Sequence, residues 1–223
     1  MKKTIIALIA LAGAAAGADF SQLTMYPITL GDVTTTSIST GSAKIWVDGQ
    51  EYDKNLDNGW MMEFSISSHA LTADAGHVIF RAQGNTGGLE ITLKGNNTIL
   101  LTDKSGQTSI TDSLTLTTDT VYRAAFDPNA ESVYLTNTST GDWVKGNWSK
   151  ELSGWANIGT WASTFYTGDA VTINVGNAYD MEGISGTTFE EYATDYSPAV
   201  PEPTTSTLSL LALTGLAARR RRR

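Results

Sequence analysis

The sequence predicts an all-β fold made of antiparallel strands, and three observations support that prediction. Short runs of β-branched and aromatic residues recur through residues 19–196. In one of them Leu89, Ile91 and Leu93 alternate with polar residues, which places the three apolar side chains on one face. Turn-forming residues separate the runs, and no long segment carries apolar residues at helical spacing. We therefore expect a two-sheet sandwich, with a closed barrel as the structural alternative.

The candidate strands can be read in chain order. Two early ones are Leu23–Leu30 and Ala43–Val47. Eight more follow: Trp60–Ile66, His77–Arg81, Leu89–Leu93, Thr98–Thr102, Val121–Phe126, Ser132–Thr136, Ala170–Val175 and Phe189–Ala193. Hairpin turns are expected at Lys94–Asn97 and at Asp127–Glu131, where Pro128 presets the backbone of a type I turn, and Asn85–Gly88 marks a third break.

Charge is unevenly distributed along the 223 residues. The net charge is −8, but both ends are basic, and residues 19–200 hold 8 basic and 22 acidic residues. A body with a net charge of −14 lacks the basic surface that nucleic acid binding requires. Its length suits one hydrophobic core. The chain has no cysteine, so packing and strand pairing must stabilise the body without disulfides.

The N-terminus has the pattern of an export signal. Lys2 and Lys3 precede an apolar stretch, Thr4–Ala16, and the small residues Ala16 and Ala18 stand where signal peptidase requires them. We expect residues 1–18 to form a signal helix that is removed after Ala18. A buried helix is the alternative, but the stretch has no polar face.

The C-terminus combines a Pro-rich linker, an apolar run and a basic cluster. Residues 197–203 hold three of the five prolines, and Thr204–Ala218 is mostly apolar. As a helix this run would span about 22 Å, short of the ~30 Å bilayer core. The chain then ends in Arg219, Arg220, Arg221, Arg222 and Arg223, which should stay cytoplasmic. We expect a short transmembrane helix, with a weak interfacial helix as the alternative.

The tripeptide Pro201, Glu202 and Pro203, followed by the apolar run and the arginines, resembles the PEP-CTERM sorting signal of Gram-negative envelope proteins. This resemblance implies that an exosortase-type transpeptidase recognises the tripeptide and removes the tail. It also implies delivery to the cell surface or to extracellular polymer. These three residues would then be processed by another enzyme rather than act in catalysis.

The order of the strands resembles a LamG-like, concanavalin A-type jelly roll. The matching features include the run from Asn58 to Phe64, the hairpin Gly88–Leu93 and the pair of runs Thr120–Asp127 and Val133–Leu135. Towards the end, Val175–Asn177 and Gly183–Gly186 precede Phe189–Tyr192, where the family commonly has Phe-Asp-Glu and this chain has Phe-Glu-Glu. The resemblance implies a jelly-roll domain over residues 19–196.

The sequence offers little that could carry catalysis. It has two histidines, His69 and His77, and no nucleophile elbow, phosphate-binding loop or zinc-binding helix motif. Laminarinase-type glucanases of the same fold resemble one another through Glu-x-Asp-x-x-Glu. Glu51 and Asp53 match its first two carboxylates, but Leu56 stands where the third should be. We expect a solvated loop there and no enzymatic activity, with a divergent glycoside hydrolase as the alternative.

Tryptophans and aspartates are the candidates for ligand binding. A cluster of four tryptophans lies among Gly, Asn and Ser residues, and flat indole faces suit sugar rings: Trp143, Trp148, Trp155 and Trp161. The alternative is that at least two of them are core residues, as we expect Trp46 and Trp60 to be. LamG-like domains often use calcium, and five aspartates near turns could supply oxygen ligands, although surface solubility explains most of them: Asp74, Asp127, Asp142, Asp169 and Asp180.

Together these features predict an exported, noncatalytic β-sandwich at the cell surface. It would be structural or adhesive, with carbohydrate or extracellular polymer as its contact, and would need no cofactor unless calcium binds. A self-associating surface-layer component is a further alternative. Signal peptidase and the exosortase would be its processing partners, and the membrane a partner until the tail is removed.

Overall fold

A computed structural model describes residues 18–32, 34–47, 50–51, 59–83, 88–103, 113–127, 129–147 and 164–196. Within these ranges the chain is predominantly β, with one helix, α1 (Gly186–Thr194), and one 3₁₀ turn (Phe20–Gln22). The strands are β1 (Thr24–Leu30), β2 (Ser37–Ile38), β3 (Ser42–Val47), β4 (Gln50–Glu51), β5 (Trp60–His69), β6 (Gly76–Gln83), β7 (Gly88–Lys94), β8 (Thr98–Asp103), β9 (Ser113–Thr115), β10 (Val121–Asp127), β11 (Ser132–Asn137), β12 (Trp143–Asn147), β13 (Thr164–Tyr166) and β14 (Val171–Asp180).

The strands form one continuous antiparallel sheet that is nearly closed into a barrel. Along its path the order is β12-β11-β10-β5-β14-β1-β3-β13-β6-β7-β8-β9, while β2 pairs with β14 and β4 with β3. The two end strands, β9 and β12, come within 8 Å of each other between Cα atoms. No ladder joins them in the described part of the chain. The predicted antiparallel all-β fold is confirmed, whereas the division into two separate sheets is not observed.

Strand β1 explains why the two halves remain connected. Its first four residues pair with β14, and the last of these is Pro27, opposite Asn177. From Ile28 onward β1 pairs with β3 instead. Proline has no backbone N–H and cannot donate to a ladder, so it suits the position where a strand changes partner. One strand therefore carries hydrogen bonding from one half of the sheet into the other.

The interior of the barrel is an apolar core that follows the two-residue period of the strands. Ile91 and Leu93 are fully buried, as their alternation predicts. Trp60 is buried in the core, as predicted, and its ring meets that of Phe80 edge-on. The prediction for Trp46 is wrong, because this residue is only half-buried. Its neighbours Ile45 and Val47 point inward, so alternation turns Trp46 to the other face.

Nine of the ten predicted strands overlap strands of the structure, but the last one is wrong. Phe189–Ala193 belongs to helix α1. Phe189, Tyr192 and Ala193 are the buried residues of that helix, and their spacing of three and four residues is the helical period. The predicted turn at Lys94–Asn97 is confirmed, since Asn97 N–H donates to the Lys94 carbonyl and Asn97 has a φ of 63°.

Helix α1 covers part of the outer face of the sheet and forms a second apolar cluster there. Besides the helix residues, this cluster contains Met61, Ala125, Tyr134, Tyr179 and Met181, together with Leu23 from the N-terminal segment. The start of the helix is fixed by Asp127, a fully buried residue at the end of β10. Its carboxylate accepts hydrogen bonds from Gly186 N–H at 2.7 Å and from the Ser185 hydroxyl at 3.0 Å.

Candidate functional site

An open cleft of about 320 Å³ lies between β9 and β12, where the barrel is not closed. Leu114 and Val144 form its apolar surface. Its other lining residues come from β9, from the end of β11, from the turn that follows and from β12: Ser113, Thr115, Asn137, Asp142 and Trp143. Ligand sites in proteins commonly combine an apolar surface with a few polar groups in this way.

The β11–β12 turn is built around the side chain of Asn137. This residue is almost fully buried, and its Oδ1 accepts hydrogen bonds from the backbone N–H groups of Ser139 and Thr140 at 3.0 and 3.1 Å. Asn137 N–H donates to the Asp142 carbonyl at 2.8 Å, which closes the turn. The Thr140 hydroxyl donates to Oδ2 of Asp142 at 2.7 Å. The turn therefore fixes the carboxylate of Asp142 at the cleft.

The opposite wall is held by a buried tyrosine. Tyr122 lies in the core and stacks on Phe64, with ring centroids 6.0 Å apart. Its hydroxyl accepts a hydrogen bond from Thr117 N–H at 2.8 Å and donates to the Thr115 carbonyl at 3.2 Å. Burial raises the pKa of Tyr122, so the hydroxyl remains protonated and able to donate. Strand β9 is thereby attached to the core rather than left as a loose edge.

Trp143 is the exposed aromatic residue of the cleft. It exposes 43% of its surface, although it opens strand β12. One side of the indole lies against Tyr134, whose ring centroid is 6.3 Å away at an interplanar angle of 50°. Tyr134 itself is buried under α1. The indole is therefore held by a tilted contact with Tyr134, and the residue remains partly open to solvent.

A hydrogen-bonded group beside Trp143 fixes this support. Oε2 of Glu190, on α1, accepts hydrogen bonds from the Tyr134 hydroxyl at 2.9 Å and from Lys145 Nζ at 2.8 Å. The hydrogen bond with Lys145 lowers the pKa of Glu190, and the same bond raises the pKa of Lys145. Burial raises the pKa of Tyr134. All three groups therefore keep their ordinary charge states at neutral pH.

A second exposed aromatic residue lies at the same end of β12. The ring of Tyr196, which exposes 43% of its surface, packs on Gly141. A Cβ atom at Gly141 would come within 2.7 Å of Tyr196 Cδ1, and the φ of +80° at this glycine is a further reason for the absence of a side chain. Two exposed aromatic residues, Trp143 and Tyr196, thus lie next to the turn that carries Asp142.

Some of the sequence predictions for this site fall on described residues and some do not. Trp143 lies at the cleft, while Trp148, Trp155 and Trp161 lie outside the described residues. The sorting tripeptide Pro201, Glu202 and Pro203 and the cluster Arg219, Arg220, Arg221, Arg222 and Arg223 also lie outside them, as do residues 1–17. Among the described residues, no helix has the length and apolar character needed to cross a bilayer.

The five aspartates proposed as calcium ligands do not converge. Asp127 caps α1, Asp142 lies at the cleft, and Asp74 is exposed in a turn. Oδ1 of Asp169 accepts a hydrogen bond from Gly41 N–H at 3.2 Å, and that of Asp180 from Glu182 N–H at 3.1 Å. In the described ranges, no three His, Cys, Asp or Glu side chains come together as a metal site.

Both histidines make hydrogen bonds within the fold. Nε2 of His69 is 2.6 Å from Oδ1 of Asn97, and Nε2 of His77 is 3.2 Å from the Tyr166 carbonyl. Glu51 lies on β4, but its side chain and all of Asp53 lie outside the described residues. The loop expected from Asp53 to Gly59 therefore stays a prediction, because residues 52–58 lie outside the described part of the chain.

Local sequence patterns do not identify several of the residues that hold the site together, namely Asn137, Tyr122 and Tyr196. Tyr122 contacts Thr115 of another strand and Tyr196 packs on Gly141, and a local pattern carries no signal for such contacts. Asn137 alone offers one, because an Asn followed by Thr-Ser-Thr-Gly is typical of a side-chain-capped turn.

Comparisons with known proteins identify similar folds only distantly. No protein-family model matches the sequence, and no curated protein is detectably similar to it. The binding domain of botulinum neurotoxin DC, solved with rat synaptotagmin II, is 11% identical with a TM-score of 0.47, over 76% of this chain and 45% of that one. This chain thus spans less than half of that neurotoxin chain.

Two further solved structures show how varied these similar folds are. The CBM40 of Ruminococcus gnavus IT-sialidase, bound to α2,3-sialyllactose, is 8% identical with a TM-score of 0.36, over 61% of this chain and 80% of that one. A family 7 alginate lyase in complex with its product is 12% identical with a TM-score of 0.39, over 77% and 76%. At this level the similarity identifies neither a ligand nor an activity for this chain.

Proposed function

We propose that this chain is an exported, noncatalytic β domain that binds carbohydrate in the cleft between β9 and β12. Its place of action is the cell surface or the extracellular polymer, reached after the N-terminal leader and the C-terminal sorting tail have been removed. The leader pattern, the Pro-Glu-Pro tripeptide and the terminal arginines support the export route. The strand order that resembles LamG-like domains supports a binding role.

The observation that carries the binding proposal is the exposed indole of Trp143 beside a polar cleft. A partly exposed indole that contacts Tyr134 offers a flat apolar surface to the C–H face of a sugar ring. Ser113, Thr115 and Asp142 lie within the same cleft and can hydrogen-bond to sugar hydroxyls.

Charge indicates which carbohydrates the cleft would accept. The body has a net charge of −14, and a carboxylate, Asp142, lies in the cleft itself. The cation beside Trp143, Lys145, is already paired with Glu190. An acidic sugar would therefore be repelled and would find no free cation among these groups. We expect a neutral saccharide.

The experiment is a glycan array followed by calorimetry, using the mature protein recovered from the exporting cell. Trp143→Ala should weaken binding to the best neutral glycan. The exposed 43% of an aromatic residue of up to ~250 Å² is about 100 Å². If the sugar covers half of that area, at ~25 cal/mol per Å², the loss is about 1.3 kcal/mol, or roughly tenfold in Kd.

Met25→Ala is the matched control. Met25 is also a large exposed apolar residue, at 54%, but it lies on β1, away from the cleft in the strand order. We expect its binding to equal that of the unmodified protein. Equal binding by the Trp143→Ala variant, or binding confined to acidic glycans, would contradict the proposal. The export route is tested separately by the mass of the mature C-terminus, which should lack the five arginines.

A further inference from the structure

The N-terminal segment is part of the folded body from Ala18 onward. Ala18 N–H donates to Oδ1 of Asp195 at 3.1 Å, and the two residues are 177 positions apart in the sequence. The Ala18 side chain also packs against the second apolar cluster. Ala18, near the start of the chain, thus makes a polar contact with the residue that follows α1 and an apolar contact with the cluster that contains the helix.

The residues after Ala18 anchor the segment firmly. Phe20 meets the rings of Tyr179 and Tyr192 edge-on, each with centroids 5.4 Å apart. The Arg123 guanidinium lies over the same Phe20 ring at 4.5 Å. The Tyr192 hydroxyl donates to the Asp19 carbonyl at 3.3 Å. The backbone at positions 18 and 19 is therefore fixed by its neighbours, and Ala18 has a defined place.

The sequence allows the leader to be removed at either of two adjacent bonds. Ala16 and Ala18 place small residues at the required positions for a cut after Ala18. Ala15 and Gly17 do the same for a cut after Gly17. The leader pattern favours a cut after Ala18 only because alanine, rather than glycine, then precedes the cut. The contacts that Ala18 makes in the fold favour a cut after Gly17 instead.

We propose that the mature chain begins at Ala18 and that its α-ammonium group forms an ion pair with Asp195. This inference rests on the leader removal that is part of the proposed function. In the step itself, signal peptidase adds water across the Gly17–Ala18 peptide bond. Gly17 leaves with the leader as a carboxylate that carries the water oxygen, and the Ala18 nitrogen takes up both hydrogens of the water as protons and becomes an ammonium.

The charges around Asp195 are compatible with this pair. Arg123 Nη1 donates to the main-chain carbonyl of Asp195 at 2.8 Å, and Glu63 binds the opposite side of the same guanidinium. The carboxylate of Asp19 is turned towards Ser21 and Gln22. A cut after Ala18 would remove the donor to Asp195 and place the new ammonium next to the carboxylate of Asp19 instead.

The first measurement is the intact mass of the mature protein with sequencing of its N-terminal peptide. We expect the peptide to begin Ala-Asp-Phe-Ser. A start at Asp19 would overturn this inference and leave the proposed export intact. Retention of Met1 would overturn the export proposal as well, so the two failures can be told apart.

The second measurement tests the ion pair in the mature protein. Selective acetylation of the α-amine, which is more reactive than lysine because its pKa is lower, removes the charge but keeps an N–H donor. We expect Tm to fall by about 2–4 °C in the unmodified sequence. Asp195→Asn, whose amide oxygen can still accept the hydrogen bond, should show no fall on acetylation.

Asp74→Asn is the matched control, because Asp74 is exposed in a turn and should leave the acetylation effect unchanged. An equal fall of Tm in Asp195→Asn and in the unmodified protein would overturn the ion pair. No fall in the unmodified protein would do so too.

Discussion

Arg123 attaches the end of α1 to the sheet. It lies on β10, is 6% exposed, and its Nη2 contacts Oε1 of Glu63 at 3.0 Å. Its Nη1 donates to the carbonyls of Tyr192 and Asp195, at 3.0 and 2.8 Å, at the end of the helix. A positive charge there also interacts favourably with the helix dipole. One guanidinium thus joins the sheet to the helix.

Arg123→Met should destabilise the fold by about 3 kcal/mol. Breaking a buried ion pair costs ~3–5 kcal/mol because the remaining charge is left uncompensated. We take the lower end, since the Glu63 side chain is still 14% exposed and also accepts a hydrogen bond from Tyr179. The measurement is urea unfolding followed by tryptophan fluorescence, with the slope m expected to stay unchanged.

A double-mutant cycle with Glu63→Gln separates the ion pair from the contacts with the helix. We expect a coupling of roughly 1–3 kcal/mol between Arg123→Met and Glu63→Gln. In a protein that already carries Glu63→Gln, Arg123→Met should still lower the free energy of unfolding, because the two carbonyls at the end of the helix lose their donor. A total cost under about 1 kcal/mol, or a coupling of zero, would refute this reasoning.

Two further predictions concern a glycine and a tyrosine. Gly141→Ala should lower the free energy of unfolding more than Gly183→Ala does. Both glycines have positive φ, but only a Cβ at Gly141 would meet a side chain, that of Tyr196 at 2.7 Å. In urea unfolding we expect a loss of about 2 kcal/mol for Gly141→Ala and about 1 kcal/mol for Gly183→Ala. Burial and the Glu63 carboxylate raise the pKa of Tyr179 from 10.0 to about 12. Its contribution to stability is therefore complete below pH 10.0 and lost as pH rises towards about 12, and Tyr179→Phe should abolish that decline in an alkaline unfolding series.

The sequence was sufficient to predict strands wherever the two-residue period is visible. Buried and half-buried residues alternate in β7 and β3 as their sequences indicate, so the strand assignments there are correct. The same period was available for Trp46, whose neighbours Ile45 and Val47 are buried. Position in the alternation, rather than residue type, therefore decides whether Trp46 is buried.

Helix α1 shows why a short segment can be misread. Phe-Glu-Glu-Tyr fits either a half-buried strand or one turn of helix, because four residues cannot distinguish a period of two from one of 3.6. Tertiary contacts decide that this segment is a helix. Asp127, about sixty residues earlier, caps its start, and Arg123 donates a hydrogen bond to the Tyr192 carbonyl in its last turn. The candidate cleft also depends on tertiary structure that the sequence does not reveal, because β9 and β12 come together only when the sheet curls.

The positions of the two ends of the body bear on how binding and processing would combine. Ala18 meets Asp195, and the next residue, Tyr196, packs on Gly141 in the turn that carries Asp142. Residues 197–200 separate Tyr196 from the Pro-Glu-Pro tripeptide, a reach of at most about 18 Å. On the proposed route, the new C-terminus would therefore be held at the end of the molecule where the cleft opens. A polymer joined to that terminus would be presented to Trp143 at high effective concentration, so that even a weak saccharide site would be occupied by the material to which the protein is attached.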